Sequence, residues 1–316
     1  DVNHDGWLDI IAGCADEAGI KVYRRFSENK WVESSAGLPS SGFTCNKVLV
    51  ADFNRDGNPD IIATSGNDKG VHFYKGSGDG TWTAQTPQPS NTGSWWGIAA
   101  WDWTDNGLLD LVAASADGQG LGFWRHTTFF NFIFGNFDLP RSGYFHQVGI
   151  SDVNHDGKMD VISTSKLGVH AFSGLEPSFP NISAGLPSGA FIGLAVGNQP
   201  RDAHTDIFFS NMTIGGLYAY KGIVGSSWLW QEDIEKNNLY WNLDMADSDH
   251  DGGYDLAGAS KNGGIAIYYF EPTHVDVDYT TGTAPQKPSV GALCVDGADL
   301  NRDGLTDLVI GTQGIG

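Results

Sequence analysis

The stretch Asp52-Phe-Asn-Arg-Asp-Gly-Asn-Pro-Asp60 runs straight into the apolar triplet Ile61-Ile62-Ala63. Oxygen-bearing side chains stand at its positions 1, 3 and 5 (Asp52, Asn54, Asp56), with Gly57 at position 6 and Asp60 at position 9. Glycine at position 6 lets a tight turn pass through left-handed backbone. Side chains at positions 1, 3 and 5 of such a turn converge, and a carbonyl at position 7 and the Asp at position 9 can complete a shell. This is the front half of a calcium loop without flanking helices; calcium takes about six to eight oxygen ligands.

The pattern recurs along the chain. Residues 1–9 supply Asp1, Asn3, Asp5 and Asp9; residues 152–160 supply Asp152, Asn154, Asp156 and Asp160. Residues 247–255 supply Asp247, Asp249, Asp251 and Asp255; residues 299–307 supply Asp299, Asn301, Asp303 and Asp307. A weakened copy at 102–110 keeps Asp102 and Asp110 but places Thr104 and Asn106 between them. A seventh copy, 198–206, has Pro200 and Ala203 at positions 3 and 6 and is expected to bind nothing, surviving as a hairpin turn. The intervals between copies run from 46 to 52 residues.

A repeat of this size matches a four-stranded propeller blade. Apolar triplets such as Leu111-Val112-Ala113 and Val161-Ile162-Ser163 follow the loops. A Gly-led second strand comes next (Gly19–Tyr23, Gly70–Tyr74), then an aromatic (Trp31, Trp82, Phe132), a Leu-Pro turn (Pro39, Pro140, Pro187) and a last strand into the next loop. No long 3.6-residue period is visible, so helices should be few. The expected fold is all-β: a seven-bladed β-propeller of four-stranded blades, one domain over 1–316.

Composition supports a cation-collecting protein. There are 38 acidic against 18 basic residues, a net charge of −20, and the five intact loops hold 16 of the acidic residues. Unneutralised carboxylates this close repel, and a divalent ion reverses the sign. Ordinary Asx-rich turns are the plainer alternative, and five near-identical copies at one period argue against it. Magnesium demands stricter octahedral geometry, and soft metals lack Cys or His at ligand positions. The expected cofactor is Ca2+ at five sites, with a sixth open at 102–110. His4, His155 and His250 fall at position 4 and read as solvent-facing filler. The acidity argues against nucleic acid and anionic membrane surfaces. No apolar run approaches the ~20 residues of a membrane-spanning helix.

The Asp-x-Asn-x-Asp-Gly-x-x-Asp loop with its apolar tail resembles the FG-GAP/VCBS-type repeat of integrin alpha chains, several lectins, some polysaccharide lyases and many secreted proteins. The resemblance covers the whole chain and implies a calcium-binding propeller with ligands at positions 1, 3, 5 and 9, each loop joining the first and second strands of a blade. On that implication Asp1 falls after a first strand and Gly316 after a second, and the expectation is a trimmed piece of a longer chain. The scarcity of Phe-Gly and Gly-Ala-Pro elements points toward the secreted VCBS-like set.

Function is less legible, because one fold hosts many activities. Outside the loops there are no paired carboxylates, no nucleophile motif and no phosphate loop. His72, His126, His146, His170 and His274 read as structural or surface residues. Trp95, Trp96, Trp101, Trp103, Trp124, Trp228, Trp230 and Trp241 are candidates for carbohydrate contact, with Trp95-Trp96 the best placed for exposure. Phe130, Phe132 and Phe134 share one face of a strand that could meet a protein if outermost. Residues 271–289 read as a long Pro-rich loop. Cys14, Cys45 and Cys294 read as buried thiols or one disulfide with a thiol left over. The sequons at Asn181 and Asn211 are weak signals.

The expectation is an extracellular, non-enzymatic binding or adhesion module for a carbohydrate or protein ligand. Alternatives are a self-assembling subunit of a surface layer or filament, joined through open sheet edges, and a polysaccharide lyase.

Overall fold

The apolar triplets behind the acidic loops become the most deeply buried strands of the protein. The computed structural model describes all residues except 29, 129–130, 136, 176–177, 199–204, 224–226, 249, 251–252, 261–263, 271–278, 283–291 and 313–316. The described residues form strands and turns without helices, in seven antiparallel sheets. The first holds β1 (Ile10–Cys14), β2 (Gly19–Ser27) and β3 (Lys30–Glu33). The second holds β4 (Cys45–Ala51), β5 (Asp60–Ser65), β6 (Val71–Gly76) and β7 (Trp82–Ala84). The third holds β8 (Trp95–Trp101), β9 (Asp110–Ser115), β10 (Leu121–Thr128) and β11 (Asn131–Gly135). The fourth holds β12 (Phe145–Ser151), β13 (Asp160–Ser165) and β14 (Val169–Phe172). The fifth holds β15 (Phe191–Asn198), β16 (Thr205–Asn211), β17 (Leu217–Ile223) and β18 (Ser227–Glu235). The sixth holds β19 (Tyr240–Ala246), β20 (Asp255–Ser260), β21 (Gly264–Phe270) and β22 (Tyr279–Gly282). The seventh holds β23 (Ala292–Ala298) and β24 (Asp307–Thr312). Acidic loop 52–60 joins the first and second strands of its sheet, as do the loops at 102–110, 152–160, 247–255 and 299–307.

β5, β9, β13 and β20 are buried at every residue, which is why they read as continuous apolar runs rather than alternating ones. Two compact units are present, one made of 1–148 with 174–180 and the other of 149–173 with 181–316. In the first, Ile20, Val22, Ile61, Ala63 and Tyr74 build one core cluster, and Phe53, Ile62, Phe73, Trp95, Leu111 and Trp124 another. In the second, Ile162, Phe191, Ile207 and Phe209 pack together, and Phe208, Leu217, Tyr240 and Tyr268 form a further cluster.

A repeated backbone latch joins neighbouring sheets of the first unit. Gly19, Gly70 and Gly120 each donate an N–H to a carbonyl of the segment leading to the next sheet: Phe43 at 3.0 Å, Gly93 at 3.1 Å and Gly143 at 3.1 Å. The following residues, Ile20, Val71 and Leu121, donate to Pro39, Ser90 and Pro140 at 3.0, 3.1 and 2.7 Å. The approach demands glycine. A Cβ on Gly19 would lie 1.7 Å from the Pro39 oxygen, and one on Gly120 would lie 2.0 Å from the Pro140 oxygen. Tryptophan adds a second pin. Trp82 Nε1 donates to the Ser34 carbonyl at 3.0 Å in the first unit, and Trp228 Nε1 to the Ile182 carbonyl at 2.9 Å in the second.

Several placements differ from the sequence reading. Among the described residues the fourth sheet has three strands; the segment after β14 carries Pro180, and proline cannot donate to a ladder. Trp95 is 3 % exposed and Trp96 half-buried, both on β8, because the strand starts inside the Ser/Gly-rich stretch. Trp96 packs against the buried His146 ring at 4.9 Å. Trp103 and Trp124 are buried, whereas Trp101 and Trp230 are exposed. β11 is outermost in its sheet; Phe132 stacks on His126 at 4.1 Å, Phe134 is 56 % exposed, and Phe130 lies outside the described residues. All three cysteines are free thiols, and Cys294 is exposed rather than buried. The stretch 271–289, apart from β22, and His274 lie outside the described residues.

Replacing Gly120 with Ala should cost roughly 2–4 kcal/mol, since both left-handed backbone and a backbone clash oppose the methyl group. Gly57→Ala, left-handed but with open space around it, should cost only about 1–2 kcal/mol. Urea unfolding of the two variants beside the parent checks this; equal costs would contradict the latch.

Candidate metal-binding loops

Each described acidic loop is closed by its own side chains. The position 1 carboxylate accepts the N–H of residue 6: Gly6 to Asp1 at 2.7 Å, Gly57 to Asp52 at 2.8 Å, Gly107 to Asp102 at 2.5 Å, Gly157 to Asp152 at 2.9 Å and Gly304 to Asp299 at 3.0 Å. The position 5 side chain accepts the N–H of residue 7, as Asp5 does from Trp7, Asp56 from Asn58 and Asp156 from Lys158, each at 2.9 Å. The backbone turns left-handed at position 6, as expected, and also at position 4. His4, Arg55, Asp105, His155, His250 and Arg302 all have φ between 53° and 64°. Asn, Asp and His are enriched in that region, which suits His4, Asp105, His155 and His250, whereas Arg55 and Arg302 give no such signal.

Position 9 does more than face a cation. One oxygen of each carboxylate accepts the N–H of residue 2: Val2 to Asp9 at 2.7 Å, Phe53 to Asp60 at 3.1 Å, Trp103 to Asp110 at 3.1 Å, Val153 to Asp160 at 3.0 Å, Ser248 to Asp255 at 2.9 Å and Leu300 to Asp307 at 3.0 Å. In the first three sheets the other oxygen accepts from the next strand but one: Arg25 at 2.8 Å, Gly76 at 2.9 Å and His126 at 2.7 Å. One buried carboxylate thus ties the loop's start to two strands. Burial pushes Asp60 and Asp110 up to about 6, against the pull of these N–H donors.

Neighbouring loops also touch. His4 Nε2 lies 3.3 Å from Asn58 Oδ1, and Thr306 Oγ1 donates to the Asp247 carbonyl at 2.8 Å. Thr205 Oγ1 donates to the Asp152 carbonyl at 3.2 Å. Position 4 is therefore a bridge at His4, and His155 is half-buried rather than solvent-facing; His250 is exposed. Asp249 and Asp251, with Pro200 and Ala203, lie outside the described residues.

The donor set fits an oxygen-seeking cation. Every side chain at positions 1, 3, 5 and 9 of the intact loops offers oxygen, and Asn3 Oδ1 is buried with no hydrogen-bond partner. Among the described residues no three acidic, His or Cys side chains are drawn into a ready cluster. The reason is visible in the bonds above: the carboxylates are turned onto the loop's own N–H groups. In 102–110 the substitution at position 5 completes this self-closure, since Asn106 accepts from Leu108 at 2.7 Å and donates to the His126 carbonyl at 2.8 Å.

Comparison with known proteins places these loops. A family model described as FG-GAP-like repeat matches residues 1–63 and 52–113. The chain carries FG-GAP-like repeats. A segment of 124 residues is 32 % identical to integrin alpha-7 of Rattus norvegicus, covering 35 % of this chain and 11 % of that protein. Integrin alpha-7 of Mus musculus and Homo sapiens match at the same identity, each over 10 % of its length. The chain therefore spans about a tenth of the length of these relatives. The fold is shared with solved structures. BBS1N, a β-propeller crystallised in complex with ARL6DN, aligns with a TM-score of 0.62 at 10 % identity, over 99 % of this chain and 87 % of its own. A functionally unknown protein from Desulfotomaculum acetoxidans aligns with a TM-score of 0.56 at 10 % identity, over 87 % and 78 %. The FG-GAP family often binds Ca2+ and serves most often as a non-catalytic binding module. No helix among the described residues is long and apolar enough to cross a membrane.

Asp60→Asn removes one acceptor oxygen facing Gly76 N–H and should cost about 2–3 kcal/mol. The group's folded pKa lies above its unfolded value near 4, so in chelator the native state binds the extra proton. That contribution is complete below about pH 4 and is lost as pH rises through about 6. The penalty of Asp60→Asn should therefore be largest near pH 4–5 and shrink toward pH 7. Chemical unfolding in chelator across this range checks it; a penalty that grows with pH would contradict the clamp as described.

Proposed function

We propose that this chain is an extracellular, calcium-stabilised binding module without catalytic activity. Its seven sheets are read as blades of one seven-bladed propeller domain over 1–316, supported by the sheet count among the described residues and by the match to BBS1N along nearly the whole chain. The observation that carries the reading is the acidic loop itself, repeated in five intact copies, two of which fall within the FG-GAP-like match. Asp1, Asn3 and Asp5, with Asp9 behind them, would hold Ca2+ in the first loop, and the same positions would do so in the other four. The bound ion supplies charge neutralisation and rigidity, and no chemistry. Extracellular placement rests on the integrin likeness and on the fit of such loops to millimolar calcium.

The ligand is a carbohydrate or a protein. Trp31, Trp101 and Trp230, at 37, 41 and 55 % exposure, replace the Trp95-Trp96 pair as the aromatic surfaces available for sugar stacking. Ile133 and Phe134, 52 and 56 % exposed on the outermost strand β11, favour a protein contact.

Each loop held at tenfold its dissociation constant gains about 1.4 kcal/mol. Five such loops should raise the melting temperature by on the order of 10 °C in calcium over chelator. Differential scanning calorimetry checks this, with magnesium expected to recover little; an unchanged melting temperature would remove the calcium reading.

A further inference from the structure

The carboxylate at position 5 is held differently from loop to loop. In 152–160, Asp156 Oδ2 accepts the neutral Ser173 hydroxyl at 3.3 Å. In 299–307, Asp303 Oδ2 accepts the amide of its own loop's Asn301 at 2.9 Å. In 52–60, Asp56 Oδ2 is paired with the Lys75 ammonium at 2.8 Å. Lys75 comes from β6, one residue before Gly76, whose N–H holds the position 9 carboxylate of Asp60. The ammonium therefore stands by the carboxylates of positions 5 and 9 of one loop, and both hold its proton more tightly. The residues at the same register in the first and third sheets are also basic but are directed elsewhere: Arg24 packs on Gly80, and the Arg125 guanidinium lies 5.2 Å from the Phe137 ring.

We propose that Lys75 is a tethered competitor for the divalent cation of loop 52–60, and that it sets this loop's calcium affinity below that of loop 152–160. Lys75 neutralises Asp56 while the loop is empty. A calcium ion drawing on Asp56 must break that pair and then meets a positive charge within a few ångströms. Loop 152–160 has the same Asp, Asn, Asp and Asp at positions 1, 3, 5 and 9, and its Asp156 gives up only a hydroxyl contact. The difference should be roughly five- to tenfold in calcium concentration. The inference rests on the calcium reading above.

The test is a calcium titration of the whole chain followed by the amide resonances of Gly57 and Gly157. Both N–H groups donate to position 1 carboxylates, at 2.8 and 2.9 Å, so each reports its own loop. The parent should show a Gly57 midpoint about five- to tenfold above that of Gly157. Lys75→Met should bring the Gly57 midpoint down toward that of Gly157 and leave Gly157 unmoved; Lys75→Arg should keep the gap. Lys75→Gln, which retains a donor for Asp56, replaces the Met variant if that one fails to fold. A Gly57 midpoint within twofold of the parent in the neutral variant, with both amides still responding, overturns the role of Lys75. Loss of response at both amides in the parent overturns the calcium reading and this inference with it.

Discussion

The position 9 carboxyl group, buried in five copies and half-buried at Asp9 and Asp307, is the constraint on which the repeats depend. In the six copies with a described loop start it reaches back to the N–H of residue 2 and, in the first three sheets, forward to the strand after its own. The carboxyl groups of Asp60, Asp110, Asp160, Asp206 and Asp255 belong to residues at most 1 % exposed. Burying such a group is costly unless donors surround it. In the first three sheets the backbone supplies them, so the loop and the two strands after it are fixed relative to one another by one side chain. The degraded copies support this ranking. Copies 102–110 and 198–206 lose residues at positions 3 and 5 or 6, yet both keep the buried Asp at position 9. In 102–110 the clamp survives decay of the loop, with Asp110 still holding the N–H groups of Trp103 and His126.

The same arrangement explains why the loops are unequal. Closed on themselves, they satisfy their carboxylates with N–H groups and leave net negative charge in a tight space. Each copy relieves that charge in its own way. Asn106 removes it, Ser173 offers a neutral hydroxyl to Asp156, and Lys75 brings a full positive charge to Asp56. On the proposed function, a divalent ion would neutralise the intact copies and add to apolar clusters that already join neighbouring sheets, as Val22, Cys45, Ile61, Tyr74 and Trp82 do.

The sheets were legible in the sequence because period and burial coincide. Ile61-Ile62-Ala63 and its counterparts read as strands since both faces are covered, and Gly57 announced a left-handed turn. The place of the loop between the first two strands followed from the family resemblance, not from spacing. Other features were hidden for definite reasons. Position 4 is left-handed without glycine, and Arg55 and Arg302 carry no mark of it. Trp95 and Trp96 sit in a turn-like stretch, yet a strand begins there and neighbouring residues cover both rings. Lys75 is 19 residues from Asp56 and meets it only when β6 pairs with β5. The Asp at position 9 looked like one more ligand, because a backbone N–H leaves no trace in sequence.

The central claim is that the intact loops hold calcium. Native mass spectrometry of the protein exchanged into a volatile buffer with micromolar to millimolar calcium counts the ions directly. Five ions per chain are predicted, one for each intact loop, lost together on addition of chelator. A chain that stays ion-free at millimolar calcium would contradict the account.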